Sequence, residues 1–180
     1  MAQYTQKAIR QTFLTMLEEM PLDKITVSAL TARCGISVNT FYYHYHDIYD
    51  LLDVWLSSEL QPLLNGRIEN WKENLITLLH KMQDHAAIIY HVSNSLSRER
   101  MERYVFLSTD DFFDRFIESH PSAHAIPMER KKAMADFCRY AFLGFFLRFI
   151  WNRMEGDVEE AVHMLGALME QFIQGADKGI

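Results

Sequence analysis

The chain has 180 residues, 49% of them hydrophobic, so it can bury one substantial core or two small helical ones. Its formal net charge of −6 excludes a generic, uniformly basic phosphate-binding surface. There is no apolar span of about 18 residues that could cross a membrane. Met1-Ala2-Gln3-Tyr4 lacks the regions of a signal peptide, and Cys34 and Cys138 are too far apart for a CxxC metal pair or a disulfide framework. These features fit a reducing, cytoplasmic setting with no membrane association. Seven glycines and four prolines, with no strand-like alternation, predict an all-α protein.

In chain order, Thr5 is the expected N-cap of a first helix, with Tyr4 and Ile9 as its flanking hydrophobic pair. Ile9, Phe13, Met16, Leu17 and Met20 form one apolar stripe, and Pro21 closes the helix. Thr26 caps a second helix, with Ile25 and Leu30 placed as a hydrophobic staple. Gly35 suits the left-handed position that ends it. Ser37 then caps a third helix, Val38 to Tyr45, with Ile36 and Phe41 as its staple. Two capped helices joined by so short a glycine turn must cross steeply, and the second projects outward. This is a helix-turn-helix pattern. Phe41 is the inward anchor, while Val38, Asn39, Thr40, Tyr42, Tyr43 and His44 mostly face away from it. A helix that needed only solubility would carry Lys and Glu there. These short polar groups, methyl surfaces and phenolic hydroxyls instead suit base edges and phosphates in double-stranded DNA. The competing reading is a helical hairpin whose aromatics pack on a neighbouring helix.

Here the sequence resembles a known family. Ile25-Thr26-Val27, the turn Cys34-Gly35-Ile36-Ser37, the run Asn39-Thr40-Phe41-Tyr42-Tyr43-His44-Tyr45 and Leu51-Leu52 resemble the N-terminal DNA-binding domain of TetR-family transcriptional regulators. The likeness is ungapped over roughly residues 5–55, and His44 to Leu51 is similar to the DhaS-like branch. The resemblance implies a three-helix helix-turn-helix domain at residues 1–46 and a C-terminal helical effector-binding and dimerisation domain at 47–180. By the same likeness, Thr26 and Ser28 contact phosphate or an adjacent base. Val38, Asn39 and Tyr43 reach base edges, and Ser37, Thr40, Tyr42 and His44 hold phosphates. Asn39 is the side chain able to make a bidentate contact, to adenine. In the family a phosphate-contacting lysine is common where Ile48 stands. Here that charge is missing, and Asp47 and Asp50 flank the position. Residues 1–50 carry Lys7, Arg10, Lys24 and Arg33 against Glu18, Glu19, Asp23, Asp47 and Asp50. The expectation is weak non-specific binding and reliance on a dimer.

Asp47 caps a fourth helix running to about Leu60 or Leu64, with Ile48, Leu51, Leu52, Trp55, Leu56 and Leu60 as its stripe. From Trp71 to Val92 one long apolar pattern runs through Leu75, Leu78, Leu79, Met82, Ala86, Ile89 and Tyr90. His80, His85 and His91 recur within it at spacings of five and six, which do not share a helix face, so neither metal nor cofactor is expected. Ser97 to Leu107 and Asp110 to Ser119 read as shorter helices, partly buried through Phe106, Phe112, Phe113 and Phe116. Residues 119–127 read as a mobile loop. Met128 to Met154 is apolar nearly all round at Ala141 to Leu147 and must be covered on every side.

Asp157 and Glu160 start a last helix to about Gln174, with Val162, Leu165, Met169 and Phe172 on its stripe, widened by Ala161, Leu168 and Ile173. Gly166 and Ala167 would let another helix come close. A monomer of this length hides both C-terminal helices poorly, which predicts a homodimer through residues 137–174; an intramolecular core is the alternative. The family likeness supports the dimer and implies a small effector. The aromatic and Met content suggests an apolar or aromatic one, lined by Trp71, Met82, Tyr90, Phe106, Phe113, Phe116, Tyr140 and Phe146. Ordinary core packing is the plainer reading of each. No glycine-rich phosphate loop, HExxH or Gly-x-Ser-x-Gly is present, which argues against an enzyme. The expected function is a DNA-binding repressor that reads a palindromic operator as a homodimer and is released by such an effector. The alternatives are a ligand-binding or adaptor protein with weak or lost DNA binding, and an activator controlled by a protein partner.

Overall fold

The computed structural model describes residues 2–64 and 66–176. Among these residues it is helical throughout, with no strand, as the sequence predicts. The helices are α1 (Ala2–Glu19), α2 (Val27–Cys34), α3 (Val38–His44), α4 (Ile48–Leu64), α5 (Trp71–Asp84), α6 (Ala86–Ser95), α7 (Arg98–Ser108), α8 (Asp110–Ser119), α9 (Met128–Trp151) and α10 (Val158–Ala176). The chain forms two compact units, one of residues 1–59 with 85–97 and one of residues 60–84 with 98–180.

The core of the first unit is built from the apolar stripes of its helices. Ile9, Phe13 and Leu17 of α1, Leu30 of α2, Phe41 of α3 and Leu51 and Leu52 of α4 are wholly buried, and Ile88 and Val92 of α6 join them. Helix α1 begins at Ala2, upstream of the expected cap, and Thr5 lies inside it. Ala and Gln are good helix formers, so nothing at residues 2–4 stops the helix.

The single apolar pattern from Trp71 to Val92 is in fact two helices. His85, at φ −114° and ψ 36°, breaks it. Helix α5 then belongs to the second unit and α6 to the first. The His91 Nδ1–H donates to the Leu17 carbonyl at 2.6 Å. That carbonyl lies in the last turn of α1, where carbonyls have no partner within the helix. A second tie runs from the Asp23 N–H to the Ser95 hydroxyl at 3.4 Å.

Phe41→Ala should cost about 3–5 kcal/mol, because it empties a fully enclosed site that helices on all sides cannot collapse into. For a unit this small that is most of its stability. Thermal unfolding followed by circular dichroism should show an early loss of part of the helical signal, with the remainder melting as in the parent chain.

In the second unit, α10 buries Val158, Val162, Gly166, Met169 and Ile173. This stripe is rotated from the predicted one: Leu168 and Phe172 point outward and Leu165 is half-buried. The rotation has a local cause. A Cβ on Gly166 would overlap Cε of Lys72 and come within 3.0 Å of the Trp71 ring, so the small residue admits α5 of the same chain. Helix α9 buries Met134, Ala135, Cys138, Arg139, Leu143 and Leu147, and is not covered on every side within one chain. Phe137, Tyr140 and Trp151 remain largely exposed on it. Residues 119–127 are not a loose loop either. Pro121–Ala125 is a 3₁₀ turn, and Ala123 and Ile126 are buried anchors.

Candidate nucleic-acid interface

The helix-turn-helix is set by caps that act over three residues. Thr26 is extended, and its Oγ1 accepts the Ala29 N–H at 3.2 Å. At the far end of α2, Gly35 is left-handed (φ 72°, ψ 29°), which avoids the steric cost a Cβ would carry there. The Ile36 N–H then returns to the Thr31 carbonyl at 3.1 Å. Ser37 is extended again, and its Oγ accepts the Thr40 N–H at 3.1 Å. The two hydroxyls of Ser37 and Thr40 lie 2.8 Å apart and share one hydrogen bond. One proton of that pair stays available to a further acceptor.

Helix α3 has a single buried residue, Phe41. Tyr45, just beyond it, is buried and packs on Phe41 with ring centroids 5.6 Å apart. Burial pushes the Tyr45 hydroxyl above its usual range; nearby Arg10 opposes this and Asp50 adds to it. The other face of α3 is open. Val38 is 40% exposed, Tyr42 56% and Tyr43 81%, and Asn39 is exposed as well. Thr40 and His44 are half-buried, and the His44 ring meets the edge of Tyr43 at 5.0 Å. On α2, Thr26 and Ser28 are exposed. All nine residues that the sequence nominated therefore lie on α2, α3 or their caps, and none is fully buried.

The acidic residues around this face are largely engaged locally. Arg33 forks onto Glu19, with Nη2 donating to Oε1 at 2.6 Å, and this hydrogen bond holds the Glu19 carboxyl below its usual range. Asp47 Oδ1 accepts the N–H groups of Tyr49 at 2.7 Å and Asp50 at 2.8 Å. Asp50 Oδ2 accepts the His46 N–H at 2.8 Å. The two carboxylates thus sit at the positive end of α4, which offsets part of their charge. Ile48 is buried in the core, so that position presents nothing outward.

The residues nominated for an effector are dispersed. A cavity of about 20 Å³ in the second unit is lined by Trp71, Leu75, Thr109, Phe112, Phe113, Phe142 and Met169. Only Trp71 and Phe113 were among the nominated residues. Phe116 is buried against Trp71 at 5.6 Å, and Met82 is buried away from the lining. Phe106 meets the largely exposed Tyr140 at 5.0 Å, and Phe146 stacks on Phe142 at 6.2 Å. Tyr90 is half-exposed on α6, in the other unit. The spacing of Trp71 and Leu75, one turn apart on α5, was the signal that could have added Leu75. Among the described residues no group of three or more His, Cys, Asp or Glu side chains could hold a metal ion. Nor is any described helix long and apolar enough to cross a membrane.

Residues 69–171, more than half of the chain, match the family model described as "Transcriptional regulator C-terminal region", a TetR-type domain. The "Dihydroxyacetone kinase operon activator DhaS" has a similar fold, with a TM-score of 0.74 at 16% identity over 96% of this chain and 97% of that one. No match is found among curated proteins. An all-α chain with a helix-turn-helix head and this C-terminal region is a regulator of transcription. It belongs to the TetR family of transcriptional regulators.

Proposed function

We propose that this chain is a sequence-specific DNA-binding repressor that acts as a homodimer on a palindromic operator. One observation carries the reading: α3 buries Phe41 alone and leaves Val38, Asn39, Tyr42 and Tyr43 open on one projecting face. In function, residues 1–46 read DNA and residues 47–180 pair the subunits and bind the effector. Asn39, Val38 and Tyr43 read base edges, while Thr26, Ser28, Ser37, Thr40, Tyr42 and His44 hold the backbone. Pairing is supported by the exposed apolar side chains of α9 and α10, Phe137, Tyr140, Trp151, Met164 and Leu168. A two-fold axis through them gives two identical heads, and hence a site with dyad symmetry.

A small apolar effector would enter beside Trp71 and Phe113. The cavity there holds roughly one water, so such a ligand must part α5 from α8 to bind. The reading as an adaptor with weak DNA binding draws on one feature. The first unit carries four basic residues, Lys7, Arg10, Lys24 and Arg33, against seven acidic ones, Glu18, Glu19, Asp23, Asp47, Asp50, Asp53 and Glu59. Footprinting of the full chain on DNA upstream of its own gene decides between them. Two protected half-sites related by a dyad are expected. Absence of any protected region at low salt favours the adaptor. A gain of transcription on binding, rather than a loss, replaces repressor with activator.

A further inference from the structure

The turn between α9 and α10 is built with strain. Arg153 (φ 57°) and Met154 (φ 60°) are both left-handed without being glycine, and Gly156 follows at φ 118°. Met154 is buried, so the strained turn is also a packing point. Its carbonyls are held from α5. The Gln83 Nε2 donates to the Met154 carbonyl at 2.8 Å and to the Gly156 carbonyl at 3.4 Å. Two carbonyl partners fix the orientation of this amide, so Gln83 Oε1 faces the other way, toward His80 Nδ1 at 3.0 Å. His80 Nε2 in turn meets Glu159 Oε1 of α10 at 2.8 Å.

Both neighbours of the ring are acceptors, a carbonyl oxygen and a carboxylate. A neutral imidazole has one N–H and can serve only one of them; an imidazolium serves both. We propose that His80 is a proton-operated latch: charged, it bridges Gln83 to Glu159 and clamps the strained Arg153–Gly156 turn, and on losing its proton it keeps the Glu159 carboxylate, the stronger acceptor, and releases Gln83. This device acts on the joint between the last two helices and does not depend on the reading of DNA by α3.

The charges around His80 favour the closed state. Glu159 faces it from α10 and Asp84 adds from α5 itself, while His163, one turn further along α10, acts on Glu159 rather than on the ring. Asp157 of the turn is committed to the Glu160 N–H at 2.9 Å. The Glu159 and Gln83 hydrogen bonds raise the imidazole above its ordinary value of 6.5. A folded-state value above the unfolded one means that the stabilisation is complete below 6.5 and is lost as pH rises through the folded-state midpoint.

The test uses the full chain and two readouts. Imidazole ¹⁵N spectra should show His80 protonated on both nitrogens in weak acid, with a midpoint above 6.5 that falls in Glu159→Gln. Amide hydrogen exchange at residues 154–156, expressed as protection, should drop several-fold as pH passes that midpoint. Gln83→Ala should show the low-protection state on both sides of it, and His80→Gln should lose the pH dependence. A His80 midpoint at or below 6.5 in the parent chain overturns the proposal, as does an unchanged pH dependence in His80→Gln.

Discussion

Phe137→Glu combined with Leu168→Glu should leave the chain monomeric and abolish operator binding at concentrations where the parent chain saturates it. Both side chains are largely exposed within one chain, 57% for Phe137 and 60% for Leu168, so the folded subunit loses little by the exchange. They belong to a set of exposed apolar side chains on the last two helices. On α9, Phe137, Tyr140 and Trp151 share one side, and on α10 Met164, Leu168 and Phe172 do; the Phe137 and Phe172 rings join the two at 4.6 Å. Each large apolar side chain withdrawn from water contributes about 1.5–3 kcal/mol. In the proposed dimer a carboxylate in its place must be desolvated with no partner, which costs several kcal/mol more, and two-fold symmetry would double every change. DNA binding fails with it, because the second head of a dimer meets its half-site at an effective concentration of about millimolar, which separate monomers do not reach. Sedimentation should give a single species of half the parent mass, with the far-ultraviolet circular dichroism unchanged. A variant that keeps the dimer mass would show that pairing runs through another surface.

The parts of the fold that were legible in the sequence are those decided within three or four residues. Thr26, Ser37, Asp47 and Asp157 each accept a backbone N–H two or three residues ahead, so chemistry and spacing together announce a helix start. Gly35 announces the turn because few other residues tolerate its φ. What was hidden depends on partners distant in the chain. The break at His85 has neither glycine nor proline, and the apolar period runs on through it. What separates α6 from α5 is the set of contacts α6 makes, including the one from His91 to the Leu17 carbonyl. Residues 121–125 look like solvent-facing loop because Ala123 is small, yet Ala123 is wholly buried. On α10 the apolar arc is wider than the buried one, and the side that carries Gly166 turns inward, where Trp71 and Lys72 of α5 pack over it. The exposure of one face of α3 was legible for a related reason. With Phe41 as its one large inward anchor, the seven-residue helix keeps Val38, Asn39, Tyr42 and Tyr43 off the core, and Thr40 and His44 sit half-buried beside it. The nominated effector residues had no such local signature, and aromatic content alone did not bring them together.

Asn39→Ala and Tyr42→Phe should separate reading from holding. Asn39 is exposed on α3 and carries the carboxamide able to pair both with N6 and with N7 of one adenine. Its removal takes away a discrimination of about 1–3 kcal/mol at that base pair in each half-site. Affinity for the best operator should fall, while operators altered at that base pair are barely affected, so the preference there flattens. Tyr42 is more than half exposed, and its ring edge rests on Phe41 at 5.7 Å, which fixes where the hydroxyl points. Tyr42→Phe keeps that packing and removes one neutral hydrogen bond, worth about 0.5–1.5 kcal/mol. A phosphate contact carries no base identity, so every operator in a panel should weaken by the same factor. The salt dependence should stay as in the parent chain, since no cation is lost. Equal losses across a panel of singly altered operators for both variants would remove Asn39 from base reading. A sequence-dependent loss for Tyr42→Phe would move its hydroxyl from the backbone to a base edge.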